Sequence, residues 1–149
     1  MNPGLLYREG TVEGASPTAL ITRLYEQTIE DLRQAAKALE QGDVELRSSR
    51  INHALLIVAL LESQLDFEAG GKVAEHLRDF YQSLRANLIQ AQLQQSGILL
   101  AQLITDLLTV REAWIEVERA EKSTPGSTHP SPSSFQESVS NSIRRDWNG

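Results

Sequence analysis

The chain contains no cysteine, and this absence excludes several kinds of chemistry. Disulfide bonds, zinc-thiolate sites and thiol nucleophiles all require cysteine. The sequence also lacks any apolar run that approaches the ~20 residues needed to span a bilayer. Its first ten residues, MNPGLLYREG, have no basic start followed by an apolar stretch and do not resemble a signal peptide. We therefore expect a cytoplasmic protein without membrane insertion.

Clusters of basic residues are missing as well. The 149 residues include 14 Lys or Arg and 20 Asp or Glu, which gives a formal net charge of −6. All of this charge lies in residues 1–122, because the remaining residues carry equal numbers of acidic and basic side chains. Binding to phosphates or to an anionic membrane surface needs clustered Lys and Arg. The charge distribution therefore argues against nucleic acid and against anionic membranes as partners.

Four long segments with helical periodicity are separated by turn residues. The first begins at Ser16-Pro17, a preferred N-cap followed by proline at the first helical position, and ends at Gly42-Asp43. The other three segments cover residues 44–67, 72–94 and 98–121. Each is about 35 Å long at 1.5 Å per residue, and short loops make neighbouring helices antiparallel. The pattern predicts an all-α fold, an antiparallel four-helix bundle over residues 16–122.

The first segment of the chain, residues 1–15, has no periodicity. It nevertheless carries three adjacent apolar side chains, which are Leu5, Leu6 and Tyr7. We expect this segment to be flexible and to lie over an apolar groove of the bundle. A partner that binds the groove would displace it.

The last segment, residues 123–149, consists of two parts. Residues 123–134 are rich in Ser, Thr, Pro and Gly, which is typical of a flexible linker. A capping-box pattern at Ser134 and Glu137 follows. Apolar residues then recur at every fourth position, namely Phe135, Val139, Ile143 and Trp147. This pattern predicts a short C-terminal helix that forms only when docked on the bundle, and a disordered tail is the alternative.

Motifs for catalysis or cofactor binding are absent. There is no glycine-rich phosphate loop and no nucleophile elbow. Di-iron bundles need Glu-x-x-His pairs, but Arg50 stands three residues before His53 and Val73 three before His76. We therefore expect no enzyme activity, no cofactor and no metal. Three arginines near apolar faces leave a small-molecule cavity as an alternative, and these are Arg33, Arg47 and Arg111.

The second helix carries more apolar side chains than one bundle face requires. One stripe, expected to face the core, comprises Ile51, Ala54, Val58, Leu61 and Leu65. A second apolar sector beside it comprises Leu46, Leu56, Ile57, Leu60 and Phe67. On the fourth helix the apolar arc is extended by Leu99, Val110 and Val117. These extra residues either belong to a core or a homodimer face, or form an exposed groove for partner helices.

Several motifs along the chain resemble those of a known family. The first group is Tyr7 with Val12-Glu13-Gly14-Ala15-Ser16-Pro17, Leu20-Ile21 and Leu24-Tyr25-Glu26. The second is Leu65-Asp66-x-Glu68-x-Gly70-Gly71 with Ala74-x-x-Leu77-x-x-Phe80-Tyr81. The third is Leu84-x-Ala86-Asn87, and the fourth is Arg111-Glu112-Ala113-Trp114. Together they resemble the flagellar secretion chaperones of the FliS family, in the order and spacing of that family.

The resemblance implies a bundle that binds the C-terminal region of flagellin in the cytoplasm, prevents its premature polymerisation and assists flagellar type III secretion. That region of flagellin is disordered in the monomer and helical in the filament. Components of the flagellar export gate are further expected partners. The residues that we expect to line the apolar client grooves are Tyr7, Leu46, Leu56, Ile57, Leu60, Phe67, Leu99, Val110 and Val117. A helical adaptor or regulatory module unrelated to flagellin is the alternative.

Overall fold

Four α-helices make up almost all of the chain that the computed structural model describes, which is Tyr7 and residues 16–123. The helices are α1 (Pro17–Glu40), α2 (Val44–Ser63), α3 (Phe67–Gln94) and α4 (Gly97–Ser123). The predicted all-α helical bundle is confirmed. The predicted C-terminal helix lies outside the described residues, as does the N-terminal segment apart from Tyr7.

The first two helices begin where their capping residues predict. Pro17 is the first residue of α1, and the Ala19 N–H donates to the Ser16 hydroxyl at 3.0 Å. The Leu46 N–H donates to the Asp43 carboxylate at 3.1 Å in the first turn of α2. These side chains satisfy amide groups that have no partner within the helix.

The junction between α2 and α3 differs from the prediction. α2 ends at Ser63, and α3 begins at Phe67 because the Asp66 carboxylate accepts the Ala69 N–H at 3.0 Å and caps a first helical turn. Gly71, with φ of 56°, interrupts the helix after this turn in a conformation that favours glycine. The predicted extension of the second helix to residue 67 is therefore wrong, whereas the predicted break before residue 72 is present as the kink at Gly71, and the turn that begins at Phe67 precedes it.

The helices are arranged in the order α1, α2, α3, α4 around the bundle, since α1 and α3 each pack against both α2 and α4. The predicted core stripe of the second helix is confirmed, because all five of its members are at most 2% exposed: Ile51, Ala54, Val58, Leu61 and Leu65. None of the described helices combines the length and the apolar character that crossing a membrane requires. The core thus takes one face of α2 and leaves the opposite face outside.

Candidate functional site

The outer face of α2 exposes two large apolar side chains. Leu56 is 70% and Leu60 is 48% exposed, whereas Val58 between them is fully buried. At about 100° per residue, each leucine points roughly 160° away from Val58. The two leucines are one helical turn apart, so they form a short apolar ridge on the side of α2 that faces away from the core.

Two exposed apolar side chains of α3 continue this surface. Ile89 is 50% and Leu93 is 74% exposed. Leu93 stands nine residues after the buried Leu84, which turns it about 180° away from the core. Ile89 lies one turn earlier, on the side of α3 that faces α2. We define the α2–α3 face as Leu56, Leu60, Ile89 and Leu93.

Polar contacts across the seam show how α2 and α3 are aligned. Arg85 and Glu62 form an ion pair at 2.7 Å, and the Gln92 side-chain amide donates to the Ser48 hydroxyl at 2.5 Å. At 1.5 Å per residue, the two contacts lie about 21 Å apart along α2 and about 10 Å apart along α3. The α2–α3 face follows the seam between them, with its α2 leucines towards the Glu62 end and its α3 residues towards the Ser48 end.

The structure divides the predicted groove residues into two groups. Four are exposed, namely Leu46, Leu56, Leu60 and Phe67, and Leu99 is partly buried against the core. Four are buried, namely Tyr7, Ile57, Val110 and Val117. Helices in a bundle are contacted on two sides, so the buried arc is wider than the central stripe. Only the exposed group can meet a partner without opening the bundle.

The exposed members of the set do not all share one surface. Leu46 stands seven residues, or two turns, before His53, which contacts Asp31 of α1, so Leu46 is on the α1 side of α2. Phe67 is in the first turn of α3, where the Arg78 guanidinium lies 5.7 Å from its ring centre in a cation–π contact. Leu60 stands two turns after His53 and lies at the edge of the α2–α3 face nearer α1, so Leu56 is the predicted residue nearest the seam with α3.

The periodicity of the sequence did not lead us to predict the two α3 residues of this face. Their signal was available, because Ile89 and Leu93 are apolar, one turn apart, and lie off the buried stripe that contains Leu84 and Leu88. The same criterion that identified the second sector of α2 would have identified them. What the sequence could not supply was that these residues and the α2 leucines border the same seam.

Tyr7 is seated in a buried aromatic group at the bundle end where α2 gives way to α3. Its backbone forms an antiparallel bridge with Leu65, and its ring centre lies 5.7 Å from that of Trp114. Its hydroxyl hydrogen-bonds that of Tyr81, which lies 2.7 Å from the Tyr25 hydroxyl. We define the Tyr7 cluster as Tyr7, Tyr25, Tyr81 and Trp114. It connects the N-terminal segment to α1, α3 and α4.

Burial makes the tyrosines of this cluster hard to ionise. Desolvation is the largest cause that raises the pKa of Tyr7, Tyr25 and Tyr81 above the ordinary tyrosine value. Repulsion from Tyr25 raises the pKa of Tyr7 and Tyr81 further. Hydrogen bonds from Tyr81 and Trp114 partly offset the increase at Tyr25. The three phenols are therefore neutral hydrogen-bonding groups at physiological pH.

A polar cluster between α1 and α2 was also missed. The fully buried Asp31 lies 2.5 Å from the Nδ1 of His53, accepts from the Gln27 amide at 3.1 Å and contacts Arg50 at 3.4 Å. His53 and Arg50 come from α2, so this cluster joins the two helices. In the sequence, His53 stood out only as a rejected metal ligand. Within residues 16–123 and at Tyr7, no group of three His, Asp or Glu side chains could hold a metal ion.

A cavity of about 290 Å³ between α1 and α4 contains two of the three arginines noted in the sequence. Its lining residues are Glu26, Ile29, Glu30, Arg33, Leu108 and Arg111. Arg111 is engaged in an ion pair with Glu26 at 3.2 Å. Arg47 is elsewhere, buried at the α2–α3 seam with its Nε donating to Gln92 at 3.2 Å. The structure thus brings Arg33 and Arg111 together but separates Arg47 from them.

Comparison with known proteins identifies relatives over most of the chain. The model of the family described as "Flagellar protein FliS" matches residues 2–121. The Flagellar secretion chaperone FliS of Salmonella typhimurium is 32% identical over 110 residues, which cover 73% of this chain and 82% of the relative. That of Vibrio cholerae is 28% identical, covering 73% and 80%, and Flagellar secretion chaperone FliSB of Pseudomonas aeruginosa is 32% identical, covering 71% and 84%.

Proposed function

The chain belongs to the FliS family of flagellar proteins, and we propose that it is a cytoplasmic export chaperone for flagellin. In this role it binds the C-terminal region of flagellin, prevents premature polymerisation and delivers the client to the flagellar type III export gate. The names of its relatives support secretion chaperone activity. The exposed side chains support the choice of client and of binding surface.

The observation that carries this proposal is the α2–α3 face. A partner that covered Leu56 and Leu93 would remove from water two side chains that are 70% and 74% exposed in the free protein. Burial of apolar area is the main favourable contribution to most protein association. Ridges of side chains one turn apart, such as Leu56 and Leu60, suit an amphipathic helix that presents anchors at i, i+3, i+4 and i+7. A flagellin segment that is helical in the filament fits this description.

The Tyr7 cluster supplies a second apolar site that the client can compete for. Tyr7 is 6% exposed, and it is held by a backbone bridge to Leu65, a hydroxyl hydrogen bond to Tyr81 and the packing of its ring against Trp114. A client residue that replaced its ring against Trp114 would release the N-terminal segment. The free energy of displacing Tyr7 is then set by the difference between the interaction energy of Tyr7 with this cluster and that of the client residue.

Calorimetric titration with the C-terminal segment of flagellin from the same organism tests the proposal. We expect saturable binding that is weakened at least about 10-fold by Leu56→Glu, because burying an unpaired charge in an apolar interface is costly. Thr105→Glu is the matched control, since Thr105 is exposed on α4, away from the α2–α3 seam. Absence of binding would contradict the flagellin client and favour the adaptor alternative. Equal weakening by both variants would move the binding surface elsewhere.

A further inference from the structure

The α2–α3 face is not covered by any described part of the chain, although the chain continues for 26 residues beyond Ser123. Those residues include the apolar series Phe135, Val139, Ile143 and Trp147. At 1.5 Å per residue, the series spans about 18 Å of helix. This length lies between the distances that separate the Glu62–Arg85 and Ser48–Gln92 contacts, which are about 10 Å along α3 and about 21 Å along α2.

Residues 124–149 leave the bundle at the end where the Glu62 end of the seam also lies. The Thr18 hydroxyl donates to Glu121 at 3.1 Å, so the end of α4 lies beside the start of α1. Since the helices are antiparallel, α2 ends and α3 begins at this same end of the bundle. Residues 124–134 can extend to about 36 Å, whereas crossing two interhelical spacings requires about 20 Å. The linker is thus long enough to bring residue 135 to the Glu62 end of the seam.

The charged residues of the segment and those beside the seam are complementary when the segment runs from the Glu62 end to the Ser48 end. A segment that runs along the seam from its Glu62 end places Glu137 near Arg85, which is 39% exposed and also pairs with Glu62. Its second half carries Arg144 and Arg145 towards the N-terminal end of α2. Glu45 is exposed there and stands eleven residues, or three turns, before Leu56, which puts both on the same side of α2.

We propose that residues 135–147 dock in cis as an amphipathic helix on the α2–α3 face, where they occupy the surface meant for the client. Phe135 lies towards Leu60 and Trp147 towards Leu93. The proposal rests on the proposed function only in taking this face to be the flagellin surface. A tethered segment experiences an effective concentration in the mM range, so an intrinsic affinity of about 0.1 mM keeps it docked roughly 10:1. Flagellin binding is weakened by about the same factor.

Tryptophan fluorescence of the full chain provides a direct test without flagellin. The chain has two tryptophans, and Trp114 is fully buried, so quenching by acrylamide reports mainly on Trp147. We expect Trp147 to be protected in the unaltered chain. Ile143→Glu should expose it and raise the undocked fraction about 10-fold, the docking ratio expected above. Asn141→Glu should not, because Asn141 is on the opposite side of the helix.

Substitutions on the bundle test the α2–α3 face as the docking surface. They are Leu56→Glu and its matched control Thr105→Glu, and far-ultraviolet circular dichroism verifies the fold. We expect Leu56→Glu to expose Trp147 as much as Ile143→Glu does, with no further increase in the double variant, whereas Thr105→Glu leaves it protected. Equal quenching in all chains would overturn docking. Exposure by Ile143→Glu without exposure by Leu56→Glu would overturn the α2–α3 location. Loss of protection on dilution would place the segment on a second copy instead.

Adding the flagellin C-terminal segment separates this inference from the proposed function. We expect it to expose Trp147 in the unaltered chain and to bind about 10-fold more tightly to Ile143→Glu. Flagellin binding with Trp147 exposed from the start would leave the chaperone function standing and refute the docked segment. A protected Trp147 without flagellin binding would refute the client and leave the docking.

Discussion

Leu56 and Ile57 are neighbours in α2 that should respond in opposite ways to the same substitution. Leu56 is 70% exposed and points away from the core, whereas Ile57 is 8% exposed and belongs to the core cluster. Substitution of either by alanine removes only aliphatic carbons and does not lower helix propensity. We expect Leu56→Ala to weaken client binding without destabilising the fold. Ile57→Ala should destabilise the fold.

The magnitudes follow from the two exposures. Leu56→Ala removes three carbons, worth about 2.4 kcal/mol if fully buried at about 0.8 kcal/mol each. Since Leu56 is 70% exposed in the free protein, about 1.7 kcal/mol is available to a partner, or roughly 15-fold in affinity. Ile57→Ala leaves a cavity and should cost about 3 kcal/mol of unfolding free energy. For a bundle of this size that lowers the melting temperature by roughly 10 to 15 °C.

Two measurements on each variant test whether Leu56 belongs to the client surface and Ile57 to the core. Thermal unfolding followed by circular dichroism reports on the fold, and calorimetric titration with the flagellin C-terminal segment reports on binding. The assignment of Leu56 to the client surface is refuted if Leu56→Ala binds within about twofold of the unaltered chain, a change well below the value worked out from burial. The assignment of Ile57 to the core is refuted if Ile57→Ala melts at the same temperature as Leu56→Ala.

Two further predictions concern the buried polar groups. Burial raises the pKa of all three tyrosines of the chain above that of a tyrosine in the unfolded chain, which is about 10. The free energy of unfolding is therefore unaffected by their ionisation below about pH 10 and declines as pH rises above it. Tyrosinate absorbance should therefore appear only together with alkaline unfolding, and one tyrosine should titrate earlier once flagellin has displaced Tyr7. Ionisation of all three near pH 10 in the folded chain would contradict this. Asp31→Ala should lower the unfolding free energy by about 2 kcal/mol in denaturant titrations, because it leaves Arg50, His53 and Gln27 without their shared acceptor. An unchanged midpoint would show that this cluster contributes nothing to joining α1 and α2.

Much of the fold follows from local features of the sequence. Ser16 and Asp43 start helices because their side-chain oxygens accept amide protons of the first turn, and this depends on a few adjacent residues. The stripe that contains Val58 and Leu61 identifies the core side of α2 because helical geometry sets the angle between its residues. Short loops then leave an antiparallel bundle as the arrangement that buries these stripes. The family motifs between Tyr7 and Trp114 indicated the same fold and the family to which the chain belongs.

The tertiary structure decided how far burial extends on each helix. Periodicity gives the direction of Leu56 and Ile57 on their own helix, but the width of the buried arc depends on where the two neighbouring helices stand. Ile57 stands one turn after His53, on the side of α2 that faces α1, and is buried, while Leu56 stays exposed beside the seam with α3. Tyr7 has its place through contacts with Leu65, Tyr81 and Trp114, which are distant in sequence. No local pattern encodes such contacts, because they exist only once all the helices have packed.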